Sequence, residues 1–380
     1  MLAHKLQNYM LGESNKFTIH HDKSIMIENS EGKEVVLNLD PPHLHAQNVT
    51  AKAFFNEVTN ADELIIAYKR AKESLPFEEQ NDTAMQHVSA YAQTYLNTFL
   101  NDLSSLTLSD VRNIVHFVKE LDIYVAVRAI ETFLSNRANL ELLKIVKENR
   151  NWFLVFDHLA IRTGSKNHND AKRISDMLIK EHGYQRPQDK EQQYYEFSDG
   201  WSAFIVYKLL RNGLILRLFV DQSDAKNQII EHWNHVYGYT AHHLGIRVVR
   251  KVEEHLEAVP LLEVKELLHA QDIEVMQPAG LYTQGLLEQV FTKPQVDNNI
   301  PEELLESINK KIEDKSLLTA IKNAKLLEIV SRKEVSTELA QEIYHHYQLS
   351  YKKRDALFSM PVYHYFLPAQ AAHVIKTSIA

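Results

Sequence analysis

Two histidines on equivalent short strands can converge on one ligand, and this chain repeats such a segment. His158-Leu159-Ala160-Ile161-Arg162 and His243-Leu244-Gly245-Ile246-Arg247 both read histidine, leucine, small residue, isoleucine, arginine. Successive side chains of a strand point to opposite faces. His158, Ala160 and Arg162 are therefore expected on one face, as are His243, Gly245 and Arg247. The leucine and isoleucine of each segment then face a hydrophobic layer. By the same alternation His242 is expected on the face opposite His243. A small residue between histidine and arginine leaves room for a bound group. Two neutral imidazoles and a carboxylate can hold a divalent iron and leave coordination positions open. Glu288 is the expected carboxylate, because it interrupts an otherwise apolar strand and a carboxylate on a buried face needs a partner. Glu288 could instead face solvent or pair with an arginine, and each histidine taken singly could be an ordinary hydrogen-bonded core residue. Arg162 and Arg247 either close salt bridges at strand ends or grip a substrate carboxylate with the guanidinium fork.

The elements that would position these residues follow from the hydrophobic pattern. Residues 17–38 alternate around a turn at Asn29-Ser30-Glu31-Gly32 and read as a β-hairpin. Residues 51–148 carry apolar side chains at helical spacing, with Asn60 and Ser109-Asp110 as helix starts. A strand over 153–162 precedes an amphipathic helix over 169–182, stopped by Gly183. Strands at 194–197 and 202–208 flank the Asp199-Gly200 turn, then come a strand over 214–220 and a helix over 224–237. The order begins again with a strand from His242, a helix over 260–270, and strands at 273–276 and 286–292. After Pro294 the composition turns charged and helical through Tyr351, with an extended piece at 358–366. The expected organisation is an N-terminal β-hairpin and helical region (1–100), a helical lead-in (101–150), a duplicated core (151–300) and a C-terminal helical region (301–380).

Composition narrows the classes. Fifty acidic residues against 42 basic ones leave a net charge of −8, a poor match for nucleic-acid phosphates. The chain has no cysteine, which excludes disulfides, thiolate metal sites and cysteine nucleophiles. The first residues lack the apolar core of a secretory signal, and no run approaches the roughly 18 apolar residues of a spanning helix. The expectation is a cytoplasmic protein without a membrane partner. The histidine clusters His20-His21, His43/His45 and His345-His346 are read as ordinary surface or helix residues. No Gly-rich phosphate loop or Gly-x-Ser-x-Gly elbow is present.

The duplicated unit resembles the vicinal oxygen chelate superfamily, whose paired βαβββ modules curve around a metal. Within it, Asp157-His158-Leu159-Ala160-Ile161-Arg162-Thr163 is similar to the first metal motif of the 2-oxoadipate dioxygenase/decarboxylase family, iron(II) enzymes acting on a 2-oxo acid with dioxygen. The resemblance covers about residues 105–295. It implies an α+β fold with vicinal-oxygen-chelate-like modules flanked by helical regions. It also implies Fe(II) held by His158, His243 and Glu288, with Arg162 binding the 2-oxo-acid end of the substrate. Arg247, at the matching place in the second copy, is expected as a second substrate contact. The segment Leu287 to Pro294 is also similar to the Phe-Thr-Lys-Pro strand of the 4-hydroxyphenylpyruvate dioxygenases, where that strand does not bear the glutamate ligand. The implied function is oxidative decarboxylation of a 2-oxo acid. The alternatives are a metal-dependent isomerase or hydrolase on the same scaffold, or a non-catalytic binding protein.

Overall fold

Alternating apolar residues pair into one large mixed sheet, and helices with apolar stripes cover one of its faces. This computed structural model describes, with internal gaps, residues 16–38 and 51–332. The histidine clusters named above and the extended piece expected at 358–366 lie outside the described residues, as does the helix expected to run on to Tyr351.

Strands β1 (Lys16–Ile19), β2 (Ser24–Glu28) and β3 (Glu34–Asn38) form a three-stranded antiparallel sheet, one strand more than the expected hairpin. Helices α1 (Lys52–Phe55), α2 (Ala61–Glu73), α3 (Leu108–Val118), α4 (Ile123–Ser135) and α5 (Arg137–Glu148) follow. Asn60 caps α2 by accepting from the Glu63 backbone N–H at 3.0 Å. Helix α3 starts one to two residues before the expected Ser109-Asp110. Thr107 is its cap, and Asp110 closes a reciprocal capping box with it.

The core consists of two modules of the same topology. The first is β4 (Trp152–Ser165), α6 (Asp170–His182), β5 (Tyr194–Phe197), β6 (Trp201–Leu209) and β7 (Ile215–Ser223). The second is β8 (Ala241–Val252), α7 (Leu261–His269), β10 (Gly280–Tyr282), β11 (Leu287–Phe291) and β12 (Leu326–Arg332), with a short β9 (His255–Ala258) paired to β8. The nine-stranded sheet runs β10-β11-β12-β8-β4-β7-β6-β5. In each module the first strand is parallel to the last, and β4 and β8 meet antiparallel at the seam. The α+β fold with paired βαβββ modules is thus the observed one. One boundary differs from expectation. Helix α8 (Glu302–Lys311) interrupts the second module, and β12 lies inside the stretch 301–380 that was read as helical. The module therefore closes at 332.

Leu159, Ile161, Leu244 and Ile246 are fully buried against α4–α7, in a cluster with Ile130, Leu142, Ile174 and Leu268. Each such side chain contributes roughly 1.5–3 kcal/mol by leaving water. The opposite face, where the alternation puts His158 and His243, is lined by buried residues outside that cluster. These include Ala160, Ile205, Trp233, Tyr237 and Phe291. Among the described residues no helix is long and apolar enough to cross a membrane.

Candidate metal centre

A β-bulge precedes each of the two histidines. In the β4–β8 register Phe156 faces Ile246 and His158 faces Gly245, so Asp157 is an extra residue. Further along, Ala160 faces His243 and Ile161 faces Ala241, so His242 is extra. A bulge leaves the extra residue unpaired and turns it out of strict alternation. This is why both Asp157 and His242 reach the ring of the histidine that follows them. His242 was expected on the far face. Instead its Nδ1 lies 3.0 Å from His243 Nδ1, and its ring packs on His243 and Trp233.

The two imidazoles meet across the seam. His158 Nε2 and His243 Nε2 are 3.2 Å apart, and Glu328 Oε2 lies 2.8 Å from the first and 3.2 Å from the second. Glu328 comes from β12, where it faces Gly245 in the parallel register. These are the three donors that the described residues bring together as a metal-binding group. Glu288, the expected acid, lies on β11 with its side chain outside the described residues. In the backbone register its position pairs with Ser331. The carboxylate at the imidazoles is that of Glu328, and the signal that could have found it is an acid inside the apolar run Leu326-Leu327-Glu328-Ile329-Val330.

The triangle is of the size that three ligands of one ion make: donors about 2.1 Å from a common ion stand about 3.0–3.4 Å apart, depending on the angle between them. The far ring nitrogens are also tied down. His158 Nδ1 donates to Asp157 Oδ1 at 2.8 Å, which leaves the Nε2 lone pair for the centre. Asp157 is in turn bonded by Arg247 Nε, with Arg217 3.9 Å away. Arg247, expected as a substrate contact, is thus placed in a buried ion pair that supports His158. Gly245 is required by close approach. A Cβ built there would lie 2.4 Å from His158 Cε1 and Nδ1.

Electrostatics follow the same geometry. Burial lowers the His158 imidazole, but Glu328 and Asp157 outweigh it and hold it at about 9. Burial lowers His243 below its ordinary value, with Glu328 opposing. Burial would raise Glu328, yet the two histidines pull it to about 2. These shifts favour a proton on His158 facing the ionised Glu328, the place a cation would take.

Arg162 sits on the same face, beside the centre. Burial lowers its guanidinium to about 10, against the pull of Asp221 and Tyr237. Its Cζ lies over the Trp233 ring, 4.5 Å from the ring centre, and its Nε and Nη1 have no hydrogen-bond partner among the described residues. Phe219 packs on His158, and Phe291 on His243. Buried Gln289 on β11 has an Nε2 with no partner among the described residues. Sequence reasoning passed over Asp221, Trp233 and Gln289, since none carries a motif.

No family model and no curated protein sequence matches the chain. Similar solved structures include a protein described as a glyoxalase-superfamily member from Ralstonia eutropha JMP134, at 10% identity over 64% of this chain and 97% of that one, TM-score 0.38. A mutant of 4-hydroxymandelate synthase from Streptomyces coelicolor is similar at 12% identity over 49% of this chain, TM-score 0.29. The match spans 50% of that synthase's own length. Methylmalonyl-CoA epimerase from Streptomyces coelicolor is similar at 11% identity over 47% of this chain and 99% of that one, TM-score 0.26.

Proposed function

We propose that this chain is a non-haem iron(II) oxygenase that decarboxylates a 2-oxo acid oxidatively, with His158, His243 and Glu328 as metal ligands. The observation that carries the reading is the convergence of two imidazole nitrogens and one carboxylate oxygen within 2.8–3.2 Å on a buried sheet face. When bound there, iron(II) supplies redox chemistry and open coordination positions. Arg162 holds a substrate carboxylate. A buried guanidinium with two unbonded N–H groups is costly unless an anion meets it, and the planar fork suits a carboxylate. Asp157 keeps His158 in the tautomer that presents Nε2, and Arg247 holds Asp157 in place. Phe219, Phe291 and Trp233 keep water from the reacting face.

The test is metal analysis of anaerobically purified full-length protein, followed by an oxygen-electrode screen of 2-oxo acids. Iron-dependent oxygen uptake with carbon dioxide release is the expected result. Metal-dependent turnover without oxygen uptake would move the chain to the isomerase or hydrolase reading. Failure to bind any divalent ion would leave the scaffold as a binding protein.

A further inference from the structure

Asp221 and Arg162 are neighbours in the sheet that do not bond where they should. They face each other in the parallel register of β4 and β7, both buried. Yet Arg162 Nε and Nη1 and Asp221 Oδ1 have no hydrogen-bond partner among the described residues, and the guanidinium lies on Trp233 instead. Trp233 Nε1 is a further buried donor without one. A buried cation and a buried carboxyl side by side are stable when bonded to each other or to something between them. Burial is the largest influence on both groups, raising Asp221 to about 8 and lowering Arg162 to about 10.

We propose that Asp221 is a specificity-determining residue, and that Arg162 holds a carboxylate at the end of the substrate remote from its 2-oxo acid, with a hydroxyl next to that carboxylate. The proposal rests on the reading of Arg162 as a carboxylate site and adds the second group. Three unsatisfied N–H donors require an acceptor, which a carboxylate provides. Asp221 needs a partner of another kind on the same molecule. An ammonium group is disfavoured, because it would stand beside the Arg162 cation among Trp233 and Phe219. A hydroxyl is neutral and both donates and accepts, so it satisfies Asp221 whether or not the carboxyl is ionised. It also discriminates strongly, since an analogue without it leaves a buried polar group unpaired.

The experiment is calorimetric titration of the full-length protein with succinate and with malate, which differ by one hydroxyl beside a carboxylate. It is run on the protein as purified and again after chelator treatment, which removes any preference due to metal chelation. Malate is expected to bind at least tenfold more tightly than succinate in both preparations. Asp221→Leu should abolish that preference while changing succinate affinity less than threefold, and Asp221→Asn, which keeps a donor and an acceptor, should retain most of it. Arg162→Leu should lose both ligands. If Asp221→Leu does not fold, Asp221→Ala takes its place. Equal affinity for the two acids in wild type, binding of neither, or a malate preference that persists in the apolar variants would overturn the proposal. The chelated arm needs no metal, so its outcome is separate from that of the oxygenase reading.

Discussion

Gly245→Ala tests how tightly the centre is built. The added Cβ would stand 2.4 Å from both Cε1 and Nδ1 of His158 and 3.0 Å from its Cγ. Ordinary contact begins near 3.4 Å, so the ring or the strand must yield by roughly 1 Å, far beyond thermal play in a packed interior. The ring is fixed at both ends, by Asp157 at 2.8 Å and Glu328 at 2.8 Å. It cannot retreat without giving up one of them. Overpacking of this kind costs about 1–3 kcal/mol of stability. Moving His158 off the centre should weaken metal binding by about 100-fold or more, since disturbing only an outer partner of a ligand costs about 10–100-fold. Ala160, the equivalent residue of the first module, faces His243 in the register with its methyl in place. Ala160→Gly is therefore the control, costing about 0.5–1 kcal/mol through backbone entropy. Cobalt(II) titration followed by absorption, with urea unfolding of the same samples, reads both quantities. A folded Gly245→Ala protein that binds cobalt within threefold of wild type would refute the reasoning.

Glu328→Gln should lose most bound metal while Glu288→Gln keeps it, as read by metal analysis; the reverse pattern returns the third ligand to Glu288. Asp157→Asn should destabilise the protein by about 3–5 kcal/mol, because Arg247 is left buried without its carboxylate, and should lower metal affinity about 10–100-fold; near-wild-type unfolding would show the ion pair to be dispensable. Arg162→Lys keeps the charge but loses the planar fork and its stacking on Trp233, so the KM for the 2-oxo acid should rise at least tenfold with metal content unchanged, and wild-type kinetics would sink that role. Asp221 has a folded pKa of about 8 against 3.8 for an ordinary aspartate, so its contribution to stability is fully present below about pH 4 and is lost as the pH rises through 8. Asp221→Asn removes that loss and should melt above wild type at pH 9; an equal or lower melting temperature there counts against it.

The sheet was legible because its strands obey the simple alternation. Leu159, Ile161, Leu244 and Ile246 face the core, and the histidines face away, as a period of two requires. Helix α6 ends at Gly183 in the left-handed conformation, φ 71°, which glycine tolerates best. What escaped depends on departures from that regularity. The bulges at Asp157 and His242 cannot be read from hydrophobic pattern, because each inserts a residue without changing its neighbours' types. Strand β12 escaped because α8 stands between it and β11, whereas residues 210–214 alone join β6 to β7. A charged helix after Pro294 looked like the end of the core, and the nearer acid was taken. Arg247 matches Arg162 in sequence yet is held in place by Asp157, a partner that only the bulge brings within reach.

The two modules share a backbone and differ where chemistry is done. Aligning Leu159 with Leu244 places Ala160 with Gly245 and, on the strands that flank them, Phe219 with Glu328. A carboxylate in both places would crowd four ligands around the seam. Phenylalanine in one leaves three donors with apolar cover on the other side, the arrangement that keeps coordination positions open. The residues before the histidines diverge likewise, Asp157 in the first module and His242 in the second. Among the described residues the first histidine has an anion behind it, and that anion pairs with the arginine of the second module, Arg247. The arginine of the first module is then free of Asp157 and stacks on Trp233 beside Asp221. On this view the duplication supplies the frame, and three differences between its copies, Phe219/Glu328, Ala160/Gly245 and Asp157/His242, divide the labour, with Glu328, Gly245 and Arg247 building the centre and Arg162 with Asp221 selecting what approaches it.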